Sequence, residues 1–163
     1  MFKRICKITF ITHGATVNSI NGVVSDSIKY PKINDIGQEE IEKVCKHLAS
    51  REVAYDSIYT SPYASCTQSA HIIAKMFKKK PIPIDLLGRN HGEWQGQLYP
   101  DLFEEQGVSI LTKTPKNGET LKHFNKRVSK MIDKLIEENA GNRIIVVTTP
   151  EVIQSELARV LDL

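Results

Sequence analysis

The sequence from Lys7 to Thr16 is KITFITHGAT, and its first six residues have the character of a buried β-strand. β-Branched and aromatic side chains dominate Lys7–Thr12, and such side chains favour an extended, pleated conformation. His13 and Gly14 follow immediately and end the apolar run. The sequence therefore predicts a strand at Lys7–Thr12 with a turn at its carboxyl end.

Outside this stretch, short β-rich apolar runs alternate with longer helical patterns. Further strands are predicted at Ser57–Thr60, Ile82–Leu86 and Arg143–Thr148, and the last is apolar enough for a strand covered on both faces. Apolar residues at helical spacing predict helices over Asp35–Glu52, Tyr63–Lys79, Tyr99–Gln106, Glu119–Asn139 and Glu151–Leu161. Gly88–Gly96, which contains the single tryptophan Trp94, is predicted to be a loop.

This alternation of strands and helices predicts an α/β fold. We expect a three-layer α/β/α sandwich with a mostly parallel sheet, forming a single domain over residues 1–163. In such sheets the ligand crevice lies beyond the carboxyl ends of the strands. That rule points to three junctions, Thr12–Thr16, Thr60–Ser65 and Thr148–Glu151.

The composition excludes several classes of function. A net charge of +3 is too small to indicate a nucleic-acid partner, and no apolar run approaches the roughly 20 residues that span a membrane. The run Ile8–Thr12 is too short for a signal peptide, so we expect a cytoplasmic protein with no membrane partner. The 5 histidines and 3 cysteines have no metal-ligand spacing, so we expect neither a metal nor a cofactor.

Six short stretches connect these elements to a known family. They are Phe10–Thr16, Asn34–Glu39, Tyr59–Ala70, His91–Gly96, Asn117–Thr120 and Ile145–Thr149. In this order and at these spacings, they resemble the signature motifs of the histidine phosphatase superfamily, the phosphoglycerate-mutase-like group. The resemblance covers nearly the whole chain and implies the phosphoglycerate-mutase-like fold.

The resemblance also implies a chemistry, in which a histidine accepts a phosphoryl group. Two arginines and a second histidine hold the phosphoryl oxygens, and a carboxylic acid protonates the leaving group. Such a set suits phosphoryl transfer, because the reaction depends on positioning and charge stabilisation, and guanidinium groups bind phosphate oxygens bidentately. His13 matches the nucleophile, and Gly14 matches the glycine after it.

Four of the other chemical positions are substituted. Thr12 and Ser65 stand in place of the two arginines, Gly88 in place of the acid, and Thr149 in place of the second histidine. Asn18 resembles the asparagine that the family has after its signature, although it lies one position early.

The number of substitutions argues for lost catalysis. Loss of one electrostatic donor lowers a rate by about 10²–10³, and loss of a general acid by about 10²–10⁴. Hydroxyl groups carry no charge, and Glu151, which with Pro150 replaces the family's glycines, adds a negative one. The sequence therefore favours a catalytically degenerate phosphatase, a pseudophosphatase, with a binding or regulatory role. Its expected partner is a phosphorylated small molecule or protein.

The alternative is a weak phosphomonoesterase that acts through a phosphohistidine on His13. Arg89 or His91 would then serve as improvised phosphate ligands, although both are predicted by default to lie in a solvated loop. The candidate phosphate-binding residues are Thr12, Gly14, Asn18, Ser65, Arg89, His91 and Thr149. An unrelated nucleotide- or phosphate-binding domain is disfavoured, because the sequence has neither G-x-G-x-x-G nor a P-loop. The sequence specifies no oligomeric state.

Overall fold

The computed structural model describes residues 5–25 and 31–162, and its centre is a four-stranded sheet. The strands are β1 (Lys7–Thr12), β2 (Ser57–Thr60), β3 (Pro81–Pro83) and β4 (Arg143–Thr148). They lie in the order β1-β4-β2-β3, and every neighbouring pair is parallel. Thr12 pairs with Thr148, so β1 and β4 end side by side at the same edge of the sheet.

Helices cover both faces of this sheet. They are α1 (Val17–Ile20), α2 (Asp35–Ser50), α3 (Ala64–Met76), α4 (Tyr99–Gln106), α5 (Leu121–Glu138) and α6 (Pro150–Leu161). Two 3₁₀ turns, Gly92–Trp94 and Gly107–Leu111, flank α4. None of the helices in the described part of the chain has the length and apolar character to cross a membrane.

The alternation of side chains along β4 explains the layers. Ile145 and Val147 pack with apolar residues of α2 and α3, whereas Ile144 and Val146 pack with those of α5 and α6. All four side chains are fully buried, as expected for a central parallel strand with helices on both faces. The predicted three-layer α/β/α sandwich is therefore confirmed, and its sheet is entirely parallel.

Three of the four strands have the predicted bounds, but the third is shorter. The strand expected at Ile82–Leu86 is Pro81–Pro83, which pairs with Ile58–Thr60 at the end of β2. Beyond this pairing, the N–H of Ile84 donates to the Thr60 carbonyl at 2.9 Å. Leu86 instead accepts a hydrogen bond from the Ser61 hydroxyl, at 2.6 Å.

The helix expected at Asp35–Glu52 ends at Ser50, and the one expected at Tyr63–Lys79 spans Ala64–Met76. Each of these helices ends before a residue with positive φ, Glu52 at 52° and Lys78 at 53°. A positive φ is incompatible with a continuing right-handed helix.

The last two helices, α5 and α6, also begin at slightly different residues than predicted. Thr120 caps α5 by accepting a hydrogen bond from the backbone N–H of His123, so this helix begins two residues after Glu119. Helix α6 begins one residue earlier than predicted, at Pro150, a residue well suited to the first helical position.

Candidate functional site

A cavity of about 280 Å³ opens at the edge where β1 and β4 end. Its wall includes His13 from the turn after β1, Asn18 from α1, His91 from the loop before α4, and Thr149 and Glu151 from the start of α6. We call it the His13 cavity. It lies where the rule for parallel sheets predicts a ligand crevice.

The ring of His13 is oriented by the backbone next to it. Its Nδ1 lies 2.8 Å from the carbonyl oxygen of Gly14. Because a carbonyl oxygen can only accept, Nδ1 carries the hydrogen of this bond, and in the neutral ring Nε2 has the lone pair. In a neutral ring, this contact favours the tautomer with the lone pair on Nε2.

Gly14 is required by packing against α2. A Cβ atom at Gly14 would lie 2.3 Å from the carbonyl oxygen of Gly37, and a Cβ at Gly37 would lie 2.3 Å from the carbonyl oxygen of Ala15. The backbone N–H of Gly14 also donates to the hydroxyl of Ser69, at 3.1 Å. The close approach of the two backbones accounts for the glycine of the His-Gly pair without any catalytic role.

Thr12 and Ser65, which stand in place of the family's arginines, do not belong to the wall of the His13 cavity. Thr12 is exposed at the end of β1, and Ser65 is completely buried in the first turn of α3. Neither side chain therefore meets a group bound in the cavity.

Thr149 lies on the cavity wall and has an unsatisfied hydroxyl. The residue is 1% exposed, and its Oγ1 has no hydrogen-bond partner among the described residues. Thr149 occupies the N-cap position of α6, yet its side chain does not cap the helix. A buried hydroxyl without a partner is destabilising by about 1–3 kcal/mol, so a ligand or water that bonds to it would be favoured.

Arg89 is buried rather than solvated, so that part of the prediction is wrong. Its Nε donates to the carbonyl oxygen of Glu119 at 3.0 Å, and its Nη2 donates to that of Lys113 at 2.7 Å. Burial lowers the pKa of this guanidinium below its usual range. The side chain is absent from the wall of the His13 cavity and ties its loop to the segment before α5.

The carboxylate of Glu151, from α6, lies beside Gly88, the position at which the family has its acidic residue. A Cβ atom at Gly88 would lie 3.0 Å from Oε2 of Glu151 and 3.4 Å from Oγ1 of Thr149. Oε2 of Glu151 accepts a hydrogen bond from the backbone N–H of Arg89 at 3.0 Å. Its Oε1 lies 2.5 Å from Nε2 of His91, so these two side chains form a pair.

From the sequence, Glu151 is predicted only to add a negative charge. Arg89, next to Gly88, and Glu151 at the start of α6 are 62 positions apart in the sequence, and no local pattern brings them together. The only signal in the sequence is that Glu151 falls in the predicted junction after β4, at the functional edge of the sheet. His91, predicted as a solvated loop residue, is instead partly buried against this carboxylate.

The described part of the wall of the His13 cavity carries little positive charge. The described residues on its wall include no lysine and no arginine, and the one carboxylate is that of Glu151. Pro150 at the start of α6 has no N–H to offer an anion. Groups of three or more His, Cys, Asp or Glu side chains suited to a metal ion are also absent from residues 5–25 and 31–162.

Comparison with known proteins agrees with this fold and this arrangement of motifs. The family model described as Histidine phosphatase superfamily (branch 1) matches residues 8–163. The chain therefore belongs to the histidine phosphatase superfamily.

Individual relatives are distant. Phosphoglycerate mutase-like protein 4 of Arabidopsis thaliana is 25% identical over 159 residues, covering 91% of this chain and 68% of the relative. Adenosylcobalamin/alpha-ribazole phosphatase of Escherichia coli (strain K12) is 22% identical over 166 residues, covering 95% and 79%. The crystal structure of phosphoglycerate mutase from Bacillus anthracis str. Sterne superposes with a TM-score of 0.83 at 17% identity, covering 96% of this chain and 80% of that one. At that identity, the structural likeness shows the fold alone.

Proposed function

We propose that this chain is a catalytically degenerate histidine phosphatase, which binds a ligand at the His13 cavity and does not hydrolyse phosphomonoesters as an enzyme of the family would. One observation carries the proposal: the described wall of the cavity has a carboxylate and has neither lysine nor arginine. Phosphoryl transfer requires positive charge around the transferring group, so this wall stabilises the transition state poorly.

The positions that replace the family's arginines, and the nearby Arg89, also support a loss of catalysis. Thr12 and Ser65 lie off the wall, and Nε and Nη2 of Arg89 each donate one hydrogen bond to a backbone carbonyl. Among the described residues of the wall, an anion would meet the Glu151 carboxylate and no guanidinium. A phosphorylated small molecule or protein would consequently be held weakly.

A binding role is supported by the unsatisfied Thr149 hydroxyl. It is buried on the wall of a cavity that also presents His13 and Asn18. Buried polar groups normally have a partner, and one that lacks a partner in the protein is a point at which a ligand can bond. The function of the protein would then be to bind a ligand and not to catalyse its conversion.

The second candidate function is weak phosphomonoesterase activity. It is favoured by the tautomer of His13 and by the Glu151 carboxylate beside Gly88. In that reaction Nε2 of His13 would form a bond to phosphorus as the phosphorus–oxygen ester bond breaks. Glu151 in its protonated form would give its proton to the departing oxygen, and water would then hydrolyse the phosphohistidine.

The deciding experiment measures hydrolysis of p-nitrophenyl phosphate and a panel of phosphomonoesters. The purified chain is compared with His13→Ala and with His47→Ala, a matched control because His47 is an exposed histidine on α2. We expect all three proteins to release phosphate no faster than the uncatalysed background measured in buffer without protein. Turnover by the wild type and His47→Ala that is lost in His13→Ala would contradict the proposal and establish the second candidate.

A further inference from the structure

A second cavity, of about 490 Å³, adjoins the His13 cavity. It lies between the Arg89–Trp94 loop, α4, α5 and α6, and it shares His91, Tyr99 and Glu151 with its neighbour. We call it the Trp94 cavity. Its volume is in the range of sites that enclose small organic molecules.

Most of the wall of the Trp94 cavity is apolar. Trp94, Leu102, Ile110 and Phe124 line it, although each is largely covered by other parts of the protein. The ionisable side chains of the wall, Arg89, His91 and Glu151, come together where the loop meets the start of α6. Uncharged polar groups are added by Asn125 of α5 and by Gln154 and Ser155 of α6. An apolar wall with a small number of polar side chains is the usual composition of a ligand pocket.

We propose that the Trp94 cavity binds a small molecule with a compact apolar body and one protonated amino group, which Glu151 accepts. The proposal rests on the proposed function in one respect: it treats the edge shared with the His13 cavity as a binding surface. It goes further by naming a ligand that is a cation and not a phosphate ester.

The choice of a cation follows from the hydrogen bonds of the two charged partners. A carboxylate has about four acceptor positions, and the hydrogen bonds of Glu151 with the Arg89 N–H and with His91 use two of them. Arg89, in contrast, directs Nε and Nη2 to backbone carbonyls and is 6% exposed. An ammonium group thus meets the unused acceptor positions of Glu151, whereas an anionic group would meet that carboxylate and an arginine whose Nε and Nη2 already donate to backbone carbonyls.

The test uses the intrinsic fluorescence of Trp94, which is the single tryptophan of the chain and lines the cavity. The probes are 1-adamantanemethylamine, 1-adamantanemethanol and adamantane-1-carboxylate, which share one apolar body and do not absorb where tryptophan does. We expect the amine to bind about tenfold more tightly than the alcohol, as for one charge-assisted hydrogen bond, and the carboxylate to bind more weakly than both.

Matched variants separate the charge from the apolar contact. Glu151→Gln is expected to remove the advantage of the amine and leave the affinity for the alcohol unchanged. Glu93→Gln is the control, because Glu93 lies in the same loop but pairs with Lys116 at the surface. Ala158→Phe places a larger side chain on the α6 wall of the cavity, seven residues from Glu151, and is expected to lower the affinity for all three probes equally. This variant tests the cavity even if Glu151→Gln does not fold.

Three results would overturn the proposal. They are no fluorescence change with any probe, a carboxylate that binds as tightly as the amine, and an advantage of the amine that survives in folded Glu151→Gln. Failure of the proposed function is distinguishable from these, because it appears as phosphate release that depends on His13. Hydrolysis together with selective amine binding would refute degeneracy and leave the Trp94 cavity assignment intact.

Discussion

Replacing Gly14 with alanine tests whether the His-Gly pair is kept by packing. The new Cβ would lie 2.3, 2.7 and 2.9 Å from the carbonyl oxygen, carbonyl carbon and Cα of Gly37. All three contacts are with backbone atoms, so no side chain can rotate away. The overlap is relieved only if the turn after β1 moves from α2, which holds Ile41 and other core residues.

The expected effect is a large loss of stability. Overpacking of a well-packed site is destabilising by about 1–3 kcal/mol, and backbone contacts on both sides place this one near the upper end. With a urea m-value of about 2 kcal/mol/M, a loss of about 3 kcal/mol lowers the unfolding midpoint by about 1.5 M. Urea titration followed by circular dichroism measures this shift.

Gly96→Ala is the matched control. Gly96 has a φ of 83° but nothing within 4 Å of an added Cβ, so only backbone strain of about 1–2 kcal/mol is expected. If Gly14→Ala is no less stable than Gly96→Ala, the close approach to Gly37 is not what fixes the glycine. Such a result would favour a catalytic role, and not packing, as the reason for the glycine after His13.

Other predictions concern the polar groups around the site. Arg127 donates from Nε and Nη2 to both carboxylate oxygens of Glu119, at 2.7 and 2.8 Å. Arg127→Met, which leaves this carboxylate without its partner, should therefore lower the free energy of unfolding by about 3–5 kcal/mol. The double variant Arg127→Met/Glu119→Gln should lose less stability than Arg127→Met alone. Burial raises the pKa of Glu119, but hydrogen bonds from Arg127 and His123 outweigh it and lower the pKa below the usual 4.5. Because a lowered pKa stabilises the fold only while the carboxyl is ionised, acid titration should show stability present above pH 4.5 and lost as the pH falls below it. Thr149→Val should raise the urea midpoint, since it removes a buried hydroxyl that has no partner among the described residues, and an unchanged or lower midpoint would contradict that.

The sequence predicts the central strands well, because their signal is local. Lys7–Thr12, Ser57–Thr60 and Arg143–Thr148 are rich in β-branched and apolar residues, and the structure has them at these bounds. The strand at Pro81–Pro83 is shorter than predicted because its length depends on β2, its partner in the sheet. The end of α2 before Glu52 depends on a positive φ, which glutamate does not signal.

The site was predictable in its location but not in its contacts. The position of His13 and Thr149 at strand ends follows from the topology of any parallel α/β sheet. The burial of Arg89 and the placement of Glu151 beside Gly88 depend on contacts between loops distant in sequence. Polar composition favours a solvated loop, and only the folded structure shows that Arg89 is bonded to the segment before α5.

The most direct test of degeneracy is the binding of orthovanadate, which mimics the transition state of phosphoryl transfer. An enzyme binds such an analogue far more tightly than it binds substrate, and the cations around the transferring group supply much of that affinity. Vanadium-51 NMR titration of the chain, with His13→Ala as reference, measures it without requiring turnover. We predict no binding at millimolar orthovanadate by either protein. Micromolar binding that disappears in His13→Ala would contradict the central claim that the His13 cavity has lost its phosphoryl-transfer site.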